Sequence, residues 1–483
     1  MIVLSAAEIA AVTGGTLMPA AGHPDVGAVI ADGPVVIDSR QAAPGALFAA
    51  LPGANVDGHD YAAAAVAAGA VAVLAARPLV GLHSLPGLHS LPGLHSVPVI
   101  VVDDVTAALG SLAHAVLARL PSVTVVGITG SSGKTSTKDL TAALLERLGP
   151  TVAPAESYNN EIGLPLTVLR ADAGTRYLVL EMSARGVGHI AYLCGIAPPG
   201  IGAVLNVGRA HAAEFGSVEA VAKAKGELVE ALPPGGVAIL NADDPNVAAM
   251  AERTGARVVT FGLGADADIL ATDISLDDLG HASFRMTMPA GSADVRLRLT
   301  GGHHVANALA AAAIAAELGL DTAAIADALS HAAARSKKRM ELHERPDGVL
   351  VVNDAYNANP DSTRAAIATL AHLMSGGRRG FAVLGYMGEL GDIADASHRE
   401  VGLLAARAGV TGLVAVGEQA APLLTGARAQ PGWDGEAIAV PNASAAIGEL
   451  RNRLRPGDVV LVKASNSAGL WEVADGLLAE VHQ

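Results

Sequence analysis

A lysine and a threonine set directly behind a glycine-bounded turn, Gly130-Ser-Ser-Gly133-Lys134-Thr135, are the residue types and spacing that hold phosphate. Backbone N–H groups in such a turn face phosphate oxygens, and the helix that follows adds partial positive charge from its N-terminus. Lys134 would reach the β/γ-phosphates, and the Thr135 hydroxyl would hold Mg²⁺. The turn follows an apolar, β-branched run from Val123 to Ile128 and opens a helical pattern at Thr135. One spacing differs from the common loop, which has glycine five positions before Gly133. Ile128 stands there, and Gly130 is the nearer glycine. A strand, this loop and a helix predict a site for ATP or GTP.

Further polar residues stand at the ends of apolar runs. Glu181 follows Tyr177 to Leu180. Asn206 ends Ala203 to Val207, with His211 five residues on. Asn241, Asp243 and Asp244 follow Val237 to Leu240, Asp354 follows Val349 to Val352, and Lys463 and Ser465 follow Val459 to Val462. Ligands of open parallel sheets sit beyond the carboxyl ends of the strands. Each residue alone reads as a cap or a turn; five loaded strand ends beside a phosphate loop read as a site. Glu181 is an oxygen ligand of the kind Mg²⁺ takes. His211 is a less usual partner and alone reads as a structural histidine. Lys225, inside the amphipathic stretch Val218 to Leu232, reads as a solvated charge. The segment 353–362 is dense in side chains that bond their own backbone. It predicts a rigid recognition loop and a helix capped near Asp361 or Ser362.

These residues need a scaffold, and composition bounds it. The chain has 483 residues, which at about 100–200 per domain predicts roughly three domains. Apolar residues make up 51% and aromatics only 3%, so the cores are built from Ala, Val, Leu and Ile. A net charge of -15 argues against nucleic acid or a membrane surface as partner. Cys194, the single cysteine, forbids an internal disulfide and fits a reducing compartment. At the N-terminus Ser5 and Glu8 predict a capping box. The charge-free run Ile190 to Gly208 is broken by Pro198-Pro199-Gly200, so it predicts helix, loop and buried strand, and no membrane span.

Residues 1 to 104 alternate helical and strand patterns. A hexapeptide repeat, GlyLeuHisSerLeuPro, interrupts them at 81–98 and reads as a surface loop, its three histidines a weak case for metal. From the helix Val105 to Leu120 to about residue 330, strands and helices alternate as in a parallel sheet, closing on the Ala-rich helix Val305 to Leu318. After the basic linker Arg335-Ser-Lys-Lys-Arg339 a second alternation begins, with strands at Phe381 to Leu384, Gly412 to Val416 and Val459 to Val462. The predicted fold is α/β in three domains. A central P-loop parallel-sheet domain (105–334) is flanked by an N-terminal α/β domain (1–104) and a C-terminal Rossmann-like domain (335–483).

Several strings together resemble the Mur ligases, the ATP-dependent peptide-bond-forming enzymes of bacterial cell-wall synthesis. They are ThrGlySerSerGlyLysThr (129–135), TyrAsnAsnGluIleGlyLeuPro (158–165), Glu181, Asn206 with His211, LeuAsnAlaAspAsp (240–244) and AspAlaTyrAsnAlaAsnPro (354–360). AspSerArg (38–40), LeuPheAlaAlaLeuProGly (47–53) and AspGlyHisAsp (57–60) are similar to the family's UDP-sugar-holding domain. LeuGlyTyrMetGlyGluLeuGly (384–391) and SerHisArgGlu (397–400) are similar to its last domain. The likeness runs in order along nearly the whole chain, the repeat excepted.

The resemblance implies a cytoplasmic ligase that joins D-alanyl-D-alanine to UDP-N-acetylmuramoyl-tripeptide at the cost of ATP, using Mg²⁺, expected as two ions, and acting as a monomer without nucleic acid or membrane insertion. It implies catalytic roles for Lys134, His211 and Lys225, and nucleotide contacts from Gly130, Ser131, Ser132, Gly133, Lys134, Thr135, Ser136, Asn307, Arg339 and Asp354. Ser39, Arg40, Asn159, Asn160, Tyr356, Asn357 and Asn359 would face substrate. Thr135, Glu181, His211 and Lys225, if carbamylated, would hold metal. Three positions differ from the family's usual pattern: His304 where asparagine is common, the linker SerLysLysArgMet (336–340), and LysAlaSerAsnSer (463–467). A P-loop switch would need the nucleotide site but neither the N-terminal domain nor the segment 353–362. The related ligase that adds the third amino acid is the alternative within the family.

Overall fold

The computed structural model describes residues 1–18, 25–53, 56–79, 97–208, 215–264 and 266–479. His211 and the hexapeptide repeat up to residue 96 therefore lie outside the described residues. The described chain forms two compact units, one of residues 1–127, 149–182 and 191–200, the other of residues 128–148, 183–190 and 201–483.

In the first unit the helix Ala6–Thr13 starts where expected. Ser5 accepts from the Glu8 N–H, Glu8 accepts in return from the Ser5 N–H, and Gly14, at φ 66°, ends the helix. A five-stranded sheet follows in the order Thr16–Met18, Val99–Val101, Ala70–Ala75, Ala46–Ala50, Val35–Val36, parallel except for its first pair. Phe48 and the small side chains of Ala46–Ala50 are buried on both faces, so this strand reads as one apolar run. The helix Val105–Ala118 is capped by Asp104, whose carboxylate accepts from the N–H groups of Thr106 and Ala107. Strands Thr151–Val152 and Tyr177–Glu181 pair in parallel.

In the second unit, strands Ile201–Val204, Val237–Asn241, Arg257–Gly262 and Ile269–Leu276 pair in parallel, neighbour to neighbour. The pattern then departs from the expected alternation. His281–Met288 and Gly291–Thr300 return as antiparallel strands. Ala282, Phe284, Met286 and Met288 are buried there, every second residue along the strand. The helix His304–Glu317 packs on the phosphate-loop helix Lys134–Leu145. Its alanines bring the two backbones close.

The last sheet runs Glu341–Glu344, Leu350–Asp354, Val459–Lys463, Gly380–Leu384, Gly412–Val416, Glu436–Val440, parallel except for its first pair. Its four inner strands are buried on both faces. Val459 and Leu461 enter one core with Leu350, Val352 and Leu384, while Val460 and Val462 enter the other with Val349, Val351 and Val383. Strand order reverses around Val459–Lys463, which lies between strands that precede it in sequence. Such a switch point opens a crevice at the carboxyl ends, where Asp354 and Lys463 stand opposite each other in register.

Candidate nucleotide and ligation site

The phosphate loop leaves a buried strand, Thr124–Thr129, and enters the helix Lys134–Leu145. Gly133 is that helix's N-cap, at φ 82°, a left-handed conformation that side chains rarely adopt. A Cβ on Gly133 would lie 2.4 Å from Asn307 Oδ1. A Cβ on Gly130 would lie 2.9 Å from that of Leu205. Both glycines are thus required by close approach, which accounts for the spacing noted in the sequence. Lys134 Nζ donates to the Gly130 carbonyl at 2.7 Å, curling over the loop it would serve. The Thr135 side chain is buried.

Asn206 braces the loop reciprocally. Its Oδ1 accepts from the Ser132 N–H at 2.9 Å and its Nδ2 donates to the Ser132 carbonyl at 3.1 Å. The neighbouring strand ends support that brace in turn. Asn241 Nδ2 donates to the Leu205 carbonyl at 2.8 Å, and Asp244 accepts from the Val207 N–H at 2.7 Å. Asp243 accepts from the N–H groups of Leu263 and Gly264. These strand-end residues hold loops in shape.

Lys225 differs from its sequence reading. It lies on the helix Val218–Glu230 but is only 3% exposed. Burial, followed by repulsion from Lys134, holds its ammonium pKa well below the usual lysine range. Among the described residues no carboxylate pairs with it. The sequence reading failed because the helix is covered on the side that carries the lysine.

In the first unit Glu181 is fully buried at its strand end, with Asn159 Nδ2 3.5 Å from its Oε2. Asn160 Oδ1 accepts from the Gly163 N–H at 2.9 Å and shapes its own loop. Ser39 opens a short turn, and Arg40 beside it is exposed, its guanidinium bonded to Asp38 at 2.7 and 2.9 Å. That guanidinium holds the Asp38 carboxyl at about 2. Among the described residues no three His, Cys, Asp or Glu side chains cluster as a metal site.

The segment 335–359 gathers the remaining candidates. Arg335 pairs with Glu146 of the phosphate-loop helix through two bonds of 2.6 Å. The Ser336 N–H donates to Asp139 at 3.0 Å, and the buried Lys138 bonds both Asp139 and Ser336. Lys338 and Met340 then take left-handed backbone angles, φ 59° and 51°, costing of order 1 kcal/mol each. Between them Arg339 lies 4.2 Å over the Tyr356 ring, while Lys338 lies 3.6 Å over Trp471. Asp354 accepts from the Met340 N–H at 3.2 Å and from Lys463 at 2.6 Å. Lys463 also donates to the Asn357 carbonyl at 2.9 Å.

Lys463, one of the strand-end residues read from the sequence, and His303, which the sequence reading missed, belong to this group. The strand-end lysine was visible. His303 carried no signal beyond adjoining His304. His304 is buried, and Asn307 Nδ2 lies 3.4 Å from its Nδ1.

Three family descriptions match the chain in order: the Mur ligase family catalytic domain over residues 34–116, the Mur ligase middle domain over 128–315, and the Mur ligase glutamate ligase domain over 338–466. A relative from Mycobacterium bovis, named UDP-N-acetylmuramoyl-tripeptide–D-alanyl-D-alanine ligase, is 49% identical, covering 99% of this chain and 98% of its own. Among solved structures, MurF from Acinetobacter baumannii is 30% identical with a TM-score of 0.83, covering 99% of both chains. MurF ligase from Thermotoga maritima, solved with ADP, is 28% identical with a TM-score of 0.76 over 93% of this chain and 98% of its own.

Proposed function

This chain belongs to the Mur ligase family, and we propose that it joins D-alanyl-D-alanine to UDP-N-acetylmuramoyl-tripeptide, consuming ATP. What carries the reading is full-length likeness to a ligase of that name, with a phosphate loop to match. A carboxylate is a poor electrophile, so direct amide formation is slow. Transfer of the γ-phosphoryl group to the tripeptide's terminal carboxylate gives an acyl phosphate and ADP. The D-alanyl-D-alanine amine then attacks the activated carbonyl, and phosphate leaves with the C–O bond electrons. The product is UDP-N-acetylmuramoyl-pentapeptide.

The anionic carboxylate must approach an anionic phosphoryl group, and Lys134 offsets that repulsion. Loop residues 130–136, Asn307, Arg339 and Asp354 would bind the nucleotide, and Ser39, Arg40, Asn159, Asn160, Tyr356 and Asn357 the other substrates. The Thr135 hydroxyl and the buried Glu181 carboxylate are hard oxygen donors suited to Mg²⁺, with His211 and Lys225 as further ligands. Mg²⁺ keeps waters and takes phosphate oxygens, so it needs no all-protein cage. When bound it would screen the two anions.

The buried Lys225 amine, its pKa lowered by burial and by Lys134, suits carbamylation. Carbon dioxide adds to an uncharged amine, and the carbamate's negative charge would face Lys134. Added mass equal to one carbon dioxide on the Lys225 peptide, lost on acidification, is the test of that step. The reading assigns residues 1–104, 105–334 and 335–483 to UDP-sugar, ATP and dipeptide binding, and puts the chain in the cytoplasm as a monomer.

The deciding assay is ADP release with two substrate pairs. UDP-N-acetylmuramoyl-tripeptide with D-alanyl-D-alanine should support turnover; UDP-N-acetylmuramoyl-dipeptide with a free diamino acid should not. The reverse outcome would identify the ligase of the third residue, and release with neither pair would favour a nucleotide switch.

A further inference from the structure

Asn359 stands where the segment 353–362 meets the phosphate loop, and it is 6% exposed. Both ends of its side-chain amide are engaged by backbone. Oδ1 accepts from the Ser362 N–H at 2.8 Å, capping the helix Pro360–Met374, and Ser362 Oγ accepts from the Asn359 N–H at 3.1 Å. Nδ2 donates to the Ser131 carbonyl at 3.3 Å. One partner only donates and the other only accepts, so chemistry fixes which amide end faces which.

Ser131 is a junction in its own right. Its N–H donates to the Asn206 carbonyl at 3.1 Å, and its Oγ accepts from the Gly208 N–H at 2.8 Å. Gly208 in turn leaves room for Asp361, the second residue of the capped helix. A Cβ on Gly208 would lie 2.1 Å from Asp361 Oδ2. The phosphate loop, the end of a neighbouring strand and the start of this helix therefore meet within one residue.

We propose that Asn359 is a positioning residue that shapes the phosphate loop through the Ser131 carbonyl, and not the dipeptide contact its motif suggests. One amide caps the helix and ties it to the loop. Seating of Asp354 to Asn357 and the shape of the loop are then set together. Only the activity readout of this proposal rests on the ligase reading.

The test separates cap from tie. Asn359→Asp and Asn359→Ser both retain a good N-cap, since Asn, Asp and Ser rank alike there. The first loses the donor and the second loses the reach to Ser131. Both should melt within about 2 °C of wild type. Backbone amides of residues 130–133 should exchange hydrogen faster in both variants without substrate. The kcat for ADP release should fall about tenfold, in line with one lost hydrogen bond at a preorganised site, with KM for D-alanyl-D-alanine little changed. Unchanged exchange in both variants would overturn the proposal, as would a rise confined to the dipeptide KM. If wild type releases no ADP with any pair, the ligase reading fails while the exchange result still decides the tie.

Discussion

Lys225 and Lys463 are both buried in the second unit, and they are buried differently. Lys463, 2% exposed, has Asp354 at 2.6 Å and the Asn357 carbonyl at 2.9 Å. Its pKa is lowered by burial, with Asp354 pulling the other way. Lys225, 3% exposed, has Lys134 as its charged neighbour, and burial and repulsion lower its pKa together. A buried ammonium is tolerated where an anion and hydrogen bonds replace its water. Lys463 meets that condition and acts as a strut between the strands Leu350–Asp354 and Val459–Lys463. Lys225 does not, so burial and the Lys134 charge both press it toward the uncharged amine. Such a group is costly to retain for packing alone, which supports the proposed chemical role for Lys225.

The largest effect expected is on the strut. Lys463→Ala should cost about 3–5 kcal/mol in urea unfolding, because Asp354 is left buried and unpaired. Pairing Lys463→Met with Asp354→Leu should recover most of that loss. A single-variant cost below about 1 kcal/mol would show that solvent reaches the pair and would dissolve the contrast.

Next come the two lysines near the phosphate loop. Lys134→Ala should lower kcat by about 10²–10³-fold, the loss typical of one preorganised charge-stabilising group. Near-normal turnover would sink the assignment. Lys225→Met should lower kcat by at least about 10²-fold. Its unfolding free energy should hold or rise, since an unpaired buried amine is replaced by an apolar side chain of similar reach. A Lys225→Met variant destabilised as much as Lys463→Ala would mean that Lys225 has a partner after all.

Sequence patterning carried much of the scaffold. Continuous apolar runs marked Tyr177–Glu181, Gly412–Val416 and Val459–Lys463 because strands covered on both faces must be apolar throughout. The capping box at Ser5 and Glu8 was legible because both partners lie within one turn. The antiparallel return from His281 was legible in its alternating residues but hidden behind the expectation of a uniform parallel sheet. The burial of Lys225 and the bond from Asn359 to Ser131 left no local trace. Both depend on segments far apart in the chain, and spacing encodes only what neighbours on one element share. Motif resemblance singled out the segment 354–360 without saying that Asn359 bonds the phosphate loop.

The smallest effect tests the surroundings of the strut. Burial lowers the His303 pKa to about 4; Asp354 opposes the shift and the Lys463 charge adds to it. An unfolded histidine titrates near 6.5. Between those values the unfolded chain binds more protons than the folded one, so stability is full above pH 6.5 and falls as pH drops toward 4. The loss across that window should be about 2 kcal/mol, somewhat less than the full shift implies because the ring is not wholly sealed from solvent. His303→Gln should flatten that part of the stability profile. Lys463→Met should act differently. It removes the repulsion while Asp354 still attracts the proton, so the His303 pKa rises toward 6.5 and the acid-sensitive window narrows from below. An unchanged His303 titration in Lys463→Met, followed by NMR of the imidazole, would mean that the histidine responds to burial alone and stands outside the Asp354–Lys463 pair.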